Sequence, residues 1–267
     1  MVGCKLSSRS DPFESKNISD NHPSSPLTFE TILEQHDREF NVVKVDLRSK
    51  KVKLQLYQFL NPKQGITNVY QLAKSEGLAV AVNASFFEVR GGLFLPMGPT
   101  VVDGKELPSY LDSEIEKEKY GVFYCTIKGE CNISTLFEYN DLFSSQGKLP
   151  NLVASGMSWS IKSGVVHPKG SGIQTGRTVI GLSKDRKTLY LVQGFGTYLS
   201  IANATQKAGA YNAFNFDGGG SSQLVFRDQR FPEFPKKYSN DLENMTPNSF
   251  FESQRQIPII LGVSELP

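Results

Sequence analysis

One stretch concentrates the residues whose types and spacing could do chemistry: Asn215-Phe-Asp-Gly-Gly-Gly-Ser-Ser-Gln-Leu-Val-Phe226. Asp217 supplies a carboxylate. Gly218, Gly219 and Gly220 supply bare backbone N–H groups, and Ser221 and Ser222 add hydroxyls. Glycines without a Cβ let the main chain approach a ligand closely and can aim several N–H groups at an anion. The plain alternative is a Gly-rich hairpin with a turn aspartate. Other polar residues stand at the ends of apolar runs: Asn83 after Leu78–Val82, Arg177 ahead of Val179–Leu182, and Arg255 before the last run. Ends of buried strands hold a side chain rigidly while leaving it open to a ligand. A guanidinium such as Arg177 binds phosphate bidentately. Each residue also has an ordinary duty open to it: turn backbone for Asn83, a surface ion pair for Arg177, solvent for Arg255. His167 precedes Pro168, as solvent-facing loop histidines do, and Trp159, the only tryptophan, suits packing.

These residues need a scaffold, and apolar periodicity supplies its outline. Alternating runs Val43/Val45/Leu47 and Val52/Leu54/Leu56, joined at Arg48–Lys51, predict a β-hairpin. A short helix with Val69, Leu72 and Ala73 on its apolar side follows, capped by Thr67 and stopped by Gly77. Leu78–Val82 is all apolar and predicts a strand covered on both faces. Two short strands around Gly91-Gly92 lead to the turn Asp103-Gly104, and residues 107–119 form a charged, exposed excursion. Strands at 120–127 and 131–134, a helix at 136–143 and strands at 152–156 and 161–166 come next. Arg177–Ser183 and Thr188–Val192 pair around Lys184–Lys187. Thr197 caps a helix to about Ala208, with Leu199, Ala202 and Gln206 on one side and Gly209 as its stop. That helix feeds a strand at 211–216, the glycines turn the chain, and a strand follows at 223–226. Residues 227–254, with prolines at 232, 235 and 247, predict a long loop, and Ile257–Val263 closes the chain. The sum is α+β: one catalytic domain over residues 28–267, with a strand-rich mixed-sheet core and a few short helices.

Composition narrows the function classes. A chain of 267 residues can bury a large core. A mean hydropathy of −0.30 fits a water-soluble domain, and a net charge of +2 gives no electrostatic case for nucleic acid. Residues 1–27 are polar and proline-bearing, which predicts a disordered tether. Its Gly3-Cys4 pair resembles the lipidation point of a bacterial lipoprotein, placing the chain at a membrane in the periplasm or outside the cell; a chance Gly-Cys is the alternative. Cys125 and Cys131 flank a turn and could pair across two strands. One lipidated cysteine and one disulfide would account for all three cysteines in an oxidising compartment.

Taken in order, Asn83-x-x-Phe-Phe87, Gly98-x5-Gly104, Arg177-Thr-x-Ile-Gly181 and the helix–strand–Asp217-to-Ser222 unit resemble the phosphodiester glycosidase family. The resemblance spans residues 78–263, and Asp217–Ser222 is its most specific part. It implies hydrolysis of a sugar-1-phosphodiester, with a sugar-phosphate or envelope glycopolymer as substrate. Asn83, Arg177, Asp217, Gly218–Gly220, Ser221 and Ser222 match the family pattern. Two departures concern the substrate: Ala84-Ser85 stands where glycines follow the Asn, and Gln193-Gly-Phe195 where an acidic-Gly-Arg signature is usual. Splitting C1–O builds positive charge on the sugar and negative charge on a departing phosphate. Asp217 is then the carboxylate that activates water or stabilises the sugar cation. Arg177, Arg255 and the glycine loop bind phosphate or sugar oxygens. Glu88 or Asp103 is the second carboxylate. No cofactor is called for, with a divalent ion at Asp217 as the alternative. A carbohydrate-binding protein that has lost turnover, and a hydrolase cleaving P–O instead, are the competing readings.

Overall fold

A computed structural model describes residues 25–34, 38–64, 68–112, 117–143, 147–167, 172–227, 229–231 and 255–266. Two sheets face each other across the main core. The larger has eleven strands along the path β1 (Leu27–Glu34), β2 (Arg38–Asp46), β14 (Thr188–Gly196), β13 (Thr175–Leu182), β15 (Asn212–Asn215), β11 (Leu152–Lys162), β7 (Val101–Val102) and β8 (Lys105–Glu106). β9 (Tyr120–Cys125) joins β11 and β10 (Cys131–Thr135), and β12 (Val165–Val166) also pairs with β11. The smaller sheet runs β17 (Gln229–Phe231), β16 (Leu224–Phe226), β4 (Val80–Asn83), β18 (Ile259–Glu265), β3 (Val52–Gln58). β5 (Phe87–Arg90) and β6 (Leu93–Pro96) form a separate hairpin. Every strand pairing among the described residues is antiparallel. The one parallel contact is the isolated bridge between Met97 and Tyr110.

Helices close the outer faces, giving four layers in the order helix, sheet, sheet, helix. Val43, Ile180, Leu191 and Phe214 of the larger sheet meet Val82, Leu224, Leu261 and Val263 of the smaller one. α3 (Tyr198–Ala208) covers the far side of the larger sheet through Ile201, Ala204 and Ala208. α1 (Val69–Glu76) covers the far side of the smaller sheet through Val69, Leu72 and Ala73. α2 (Leu136–Phe143) lies over β9 and β10 beside a third apolar cluster with Tyr120 and Tyr124. Among the described residues no helix is long and apolar enough to cross a membrane.

Several local expectations change here. β2 and β3 alternate as predicted but do not form a hairpin: β2 pairs with β1 and β14, β3 with β18, and their apolar sides meet across the core. Alternation identifies a half-buried strand and leaves its neighbour open. The strand β1 was not anticipated, and it begins at buried Leu27, inside the segment expected to be a tether. Residues 152–162 form one strand, not two, bent by register shifts around Ser158, whose φ is 61°. α1 is capped by Asn68, whose Oδ1 accepts from Gln71 N at 2.8 Å; Thr67 lies outside the described residues. Leu199 is 48% exposed, so the buried side of α3 is set by Ile201, Ala204, Thr205 and Ala208, at the i, i+3, i+4, i+7 spacing of one helical face. The expected loop over 227–254 contains β17; residues 232–254, like Cys4 and the rest of 1–24, lie outside the described residues. Cys125 and Cys131 stand directly opposite in the β9–β10 register and are joined by a disulfide.

Candidate functional site

The glycine stretch is not a hairpin turn. β15 ends in the larger sheet and β16 begins in the smaller one, so residues 216–223 carry the chain across the seam between them. Phe214 and Phe216 anchor the approach. Both are almost completely buried between the sheets, which stabilises each by about 2–3 kcal/mol. Gly219–Ser221 then makes one 3-10 turn, with Gly219 at φ +61°. The turn lies on β13. A Cβ on Gly176 would come within 2.6 Å of the Gly219 carbonyl oxygen, and one on Gly218 within 2.8 Å of the Gly176 carbonyl oxygen. Only glycine at both positions lets the two backbones close to this distance.

Asn83 fastens the turn from the other side. Its Nδ2 donates to the Asp217 carbonyl at 2.8 Å, across 134 residues of sequence. Its Oδ1 accepts from Thr178 Oγ1 at 2.8 Å and from Gln223 N at 3.0 Å. Thr178 Oγ1 also shares a hydrogen bond with Ser222 Oγ at 2.8 Å. Asn83 is fully buried. It therefore holds the backbone that carries Asp217. Gln223 completes the frame: its Oε1 accepts from Val69 N at 2.9 Å, satisfying a first-turn N–H of α1, and its Nε2 donates to the Arg255 carbonyl at 3.0 Å.

Three groups of interest surround the turn. Asp217 is half-buried, and burial raises its carboxyl above the ordinary carboxylate value. Nearby Ser221, the Gly218 N–H and the positive charge of Arg255 pull the other way. The Gly218 N–H donates to Asp217 Oδ1 at 2.9 Å. The Ser221 hydroxyl sits beside the carboxyl without completing a hydrogen bond of good geometry, and it is buried with no other partner. Arg177 is 7% exposed. Its Nε and Nη2 donate to the carbonyls of Gly196 at 3.4 Å and Ile173 at 3.1 Å, and the guanidinium stacks 3.7 Å from the Tyr198 ring. Its Nη1 faces Gly218, where a Cβ would stand 3.9 Å away. The start of α3 thus fixes Arg177: a capping box between Thr197 and Ser200 sets the helix end that presents Tyr198. Arg255 is exposed and lies 5.0 Å over the Phe87 ring.

The two candidates for a second carboxylate are placed differently. Glu88 is exposed on the β5–β6 hairpin, 2.7 Å from Arg90 Nε. The Tyr110 hydroxyl and then Arg90 hold its pKa below the ordinary value, which fits a satisfied surface carboxylate rather than an acid ready to donate. Asp103 sits in the β7–β8 turn. Val102 pairs with Leu152, five residues along β11 from Met157, the partner of Asn215. At a rise of about 3.3 Å per residue, Val102 lies about 17 Å along β11 from the level of Asn215. Among the described residues no three His, Cys, Asp or Glu side chains gather as a metal site would require.

Sequence reasoning brought together Asn83, Arg177, Asp217, Gly218–Gly220, Ser221, Ser222 and Arg255. It missed Thr178, Tyr198 and Gln223. Thr178 and Gln223 look like ordinary members of apolar strands, and Tyr198 like the first residue of a helix. Gln193, one of the two departures from the family pattern, accepts from Asn41 Nδ2 at 3.3 Å and is buried within the sheet.

A family model described as phosphodiester glycosidase matches residues 76–264. No curated protein matches the chain in sequence. Among solved structures, the fold is similar to the catalytic domain of zebrafish N-acetylglucosamine-1-phosphodiester alpha-N-acetylglucosaminidase, auto-inhibited by its pro-peptide. Identity is 19%, the match covers 91% of this chain and 85% of that one, and the TM-score is 0.61. A hypothetical protein from Synechocystis is 13% identical over 89% of this chain and 62% of that one, with a TM-score of 0.56. At these identities the likenesses establish the fold.

Proposed function

Because the chain belongs to the phosphodiester glycosidase family, we propose that it hydrolyses the C1–O bond of a glycosyl-1-phosphodiester, within a cell-envelope or extracellular glycan. The observation that carries this reading is the pairing, on one crossover, of a carboxylate whose pKa burial raises with a glycine turn faced by Arg177 Nη1. The phosphate sits against the Gly218–Ser222 turn, with Arg177 on one side and Arg255 on the other. Backbone N–H groups and guanidinium stabilise the charge that grows on the leaving oxygen. Asp217 stands toward the sugar, where it takes a proton from attacking water or stabilises the cation at C1. A phosphate monoester departs as a stable anion, so the reaction asks less of a general acid than loss of an alkoxide would. This suits a site in which Glu88 is held by Arg90 and Tyr110. The bridged Cys125 and Cys131 support an oxidising compartment, and lipidation of Cys4 would tether the domain to a membrane there.

The test is product analysis with a panel of glycosyl-1-phosphodiesters. Free reducing sugar together with the phosphate monoester is the expected result. A sugar 1-phosphate would move the cleavage to P–O, and binding without any product would mark a carbohydrate-binding protein of the same fold.

A further inference from the structure

A cleft of ≈ 460 Å³ opens on the flank of the larger sheet, away from the glycine turn. One wall is a single face of α2, formed by Leu136, Tyr139, Asn140 and Phe143 at i, i+3, i+4 and i+7. The other is the chain around Ser109 and Tyr110. Its size falls within the usual range for small-ligand pockets. Among the described residues that line it, Glu106 is the one charged side chain and none is basic. That composition disfavours an anion. Aromatic rings beside an amide, a hydroxyl and a carboxylate suit a neutral pyranose, whose C–H face packs on a ring while its hydroxyls meet polar groups at the rim. Burial pushes the Tyr110 and Tyr139 phenols up to about 12, so both stay protonated over the physiological range.

A chain of side-chain contacts links the cleft's rim to the candidate site. Arg90 stacks 4.0 Å over the Tyr110 ring, and Phe87 of the same β5–β6 hairpin lies under Arg255, whose charge acts on Asp217. The lining segment is also tied to the sheet, where Asp112 N donates to Tyr120 Oη at 3.2 Å. Tyr120 pairs with Met157, and Met157 with Asn215. Two strand spacings of about 4.8 Å separate the Tyr120 backbone from Asn215, two residues before Asp217.

We propose that this cleft is a saccharide subsite, binding a neutral sugar unit of the substrate distal to the scissile bond. The assignment rests on the reading of the substrate as a glycan phosphodiester, but the binding it requires can be measured without turnover. Titration calorimetry of the full chain with maltotriose, cellotriose and chitotriose is expected to give a Kd on the order of 1 mM for at least one of them. Phe143→Ala should weaken that binding severalfold. Asn140→Trp, at an exposed helix position, should fill the cleft and abolish it while leaving the melting temperature unchanged. Glucose 1-phosphate should not compete. The proposal is overturned if none of the three sugars binds at up to ten times that concentration, if Asn140→Trp binds as the wild type does, or if glucose 1-phosphate displaces the trisaccharide. Trisaccharide binding in a protein that hydrolyses no phosphodiester would refute the hydrolytic reading and leave the subsite standing.

Discussion

Replacing Asn83 by alanine removes three hydrogen bonds that converge on one buried amide: to the Asp217 carbonyl, from Thr178 Oγ1 and from the Gln223 N–H. Thr178 can turn to Ser222, which is already 2.8 Å away. The two backbone groups have no such second choice and are left unpaired. A buried polar group stripped of its partner costs about 1–3 kcal/mol, so the substitution should destabilise the protein by about 2–6 kcal/mol. With a urea m-value of about 3 kcal/mol per molar, the midpoint should fall by about 0.7–2 M. Trp159 is the only tryptophan and packs partly buried against the main core, so its fluorescence follows the transition directly. A double-mutant cycle with Thr178→Val adds a check, because the two side chains should couple by about 1 kcal/mol. A midpoint shift below about 0.3 M at unchanged m, corresponding to less than about 1 kcal/mol, would refute the claim that Asn83 fastens the turn.

The remaining predictions concern the turn and its surroundings. Asp217→Asn should lower turnover of a glycosyl-1-phosphodiester by at least about a hundredfold, read by release of reducing sugar. It should also raise stability at neutral pH: with the native pKa raised, ionisation weakens the fold as pH rises through it, so the variant's gain in melting temperature grows from acid toward neutral and vanishes below the ordinary carboxylate range. Gly176→Ala pushes a methyl into the Gly219 carbonyl and Ser222; unfolding curves should show a loss of about 1–3 kcal/mol, and kcat should drop with it. Reducing the Cys125–Cys131 bridge, whose cysteines are 6 residues apart, should cost about 2 kcal/mol, seen by comparing wild type with Cys125→Ser/Cys131→Ser under oxidising conditions.

What the sequence disclosed and what it withheld divide along a physical line. Periodicity and caps are local, and they found α2, both ends of α3 and the helix–strand–glycine unit that leads to Asp217. Partner choice is not local. β2 and β3 alternate in register with a turn between them, yet they sit in opposite sheets, and the same holds for β15 and β16. The hairpin reading of the glycine stretch failed for that reason. The buried side of α3 was not legible either: Leu199 is apolar but lies outside the stripe that Ile201, Ala204 and Ala208 define. At the site, Asn83 could be picked out because polarity appears abruptly at the end of an apolar run. Thr178 and Gln223 could not, since a threonine or glutamine within a strand gives no sign that it will meet a residue more than ninety positions away.

The order of strands in the smaller sheet bears on when this protein can work at all. β18, at residues 259–265, is inserted between β3 and β4, which were synthesised some two hundred residues earlier. Until it arrives, β4 lacks one of its two neighbours, and Asn83 at its tip has no rigid base from which to hold Asp217. Pairing across so long a separation is slow and carries a high entropic cost of loop closure. The site is therefore completed late: the strands up to β17 can be in place while the base on which Asn83 rests is still missing. In a domain wired this way, ordering of the turn that carries Asp217 becomes a timestamp for β18 finding its slot.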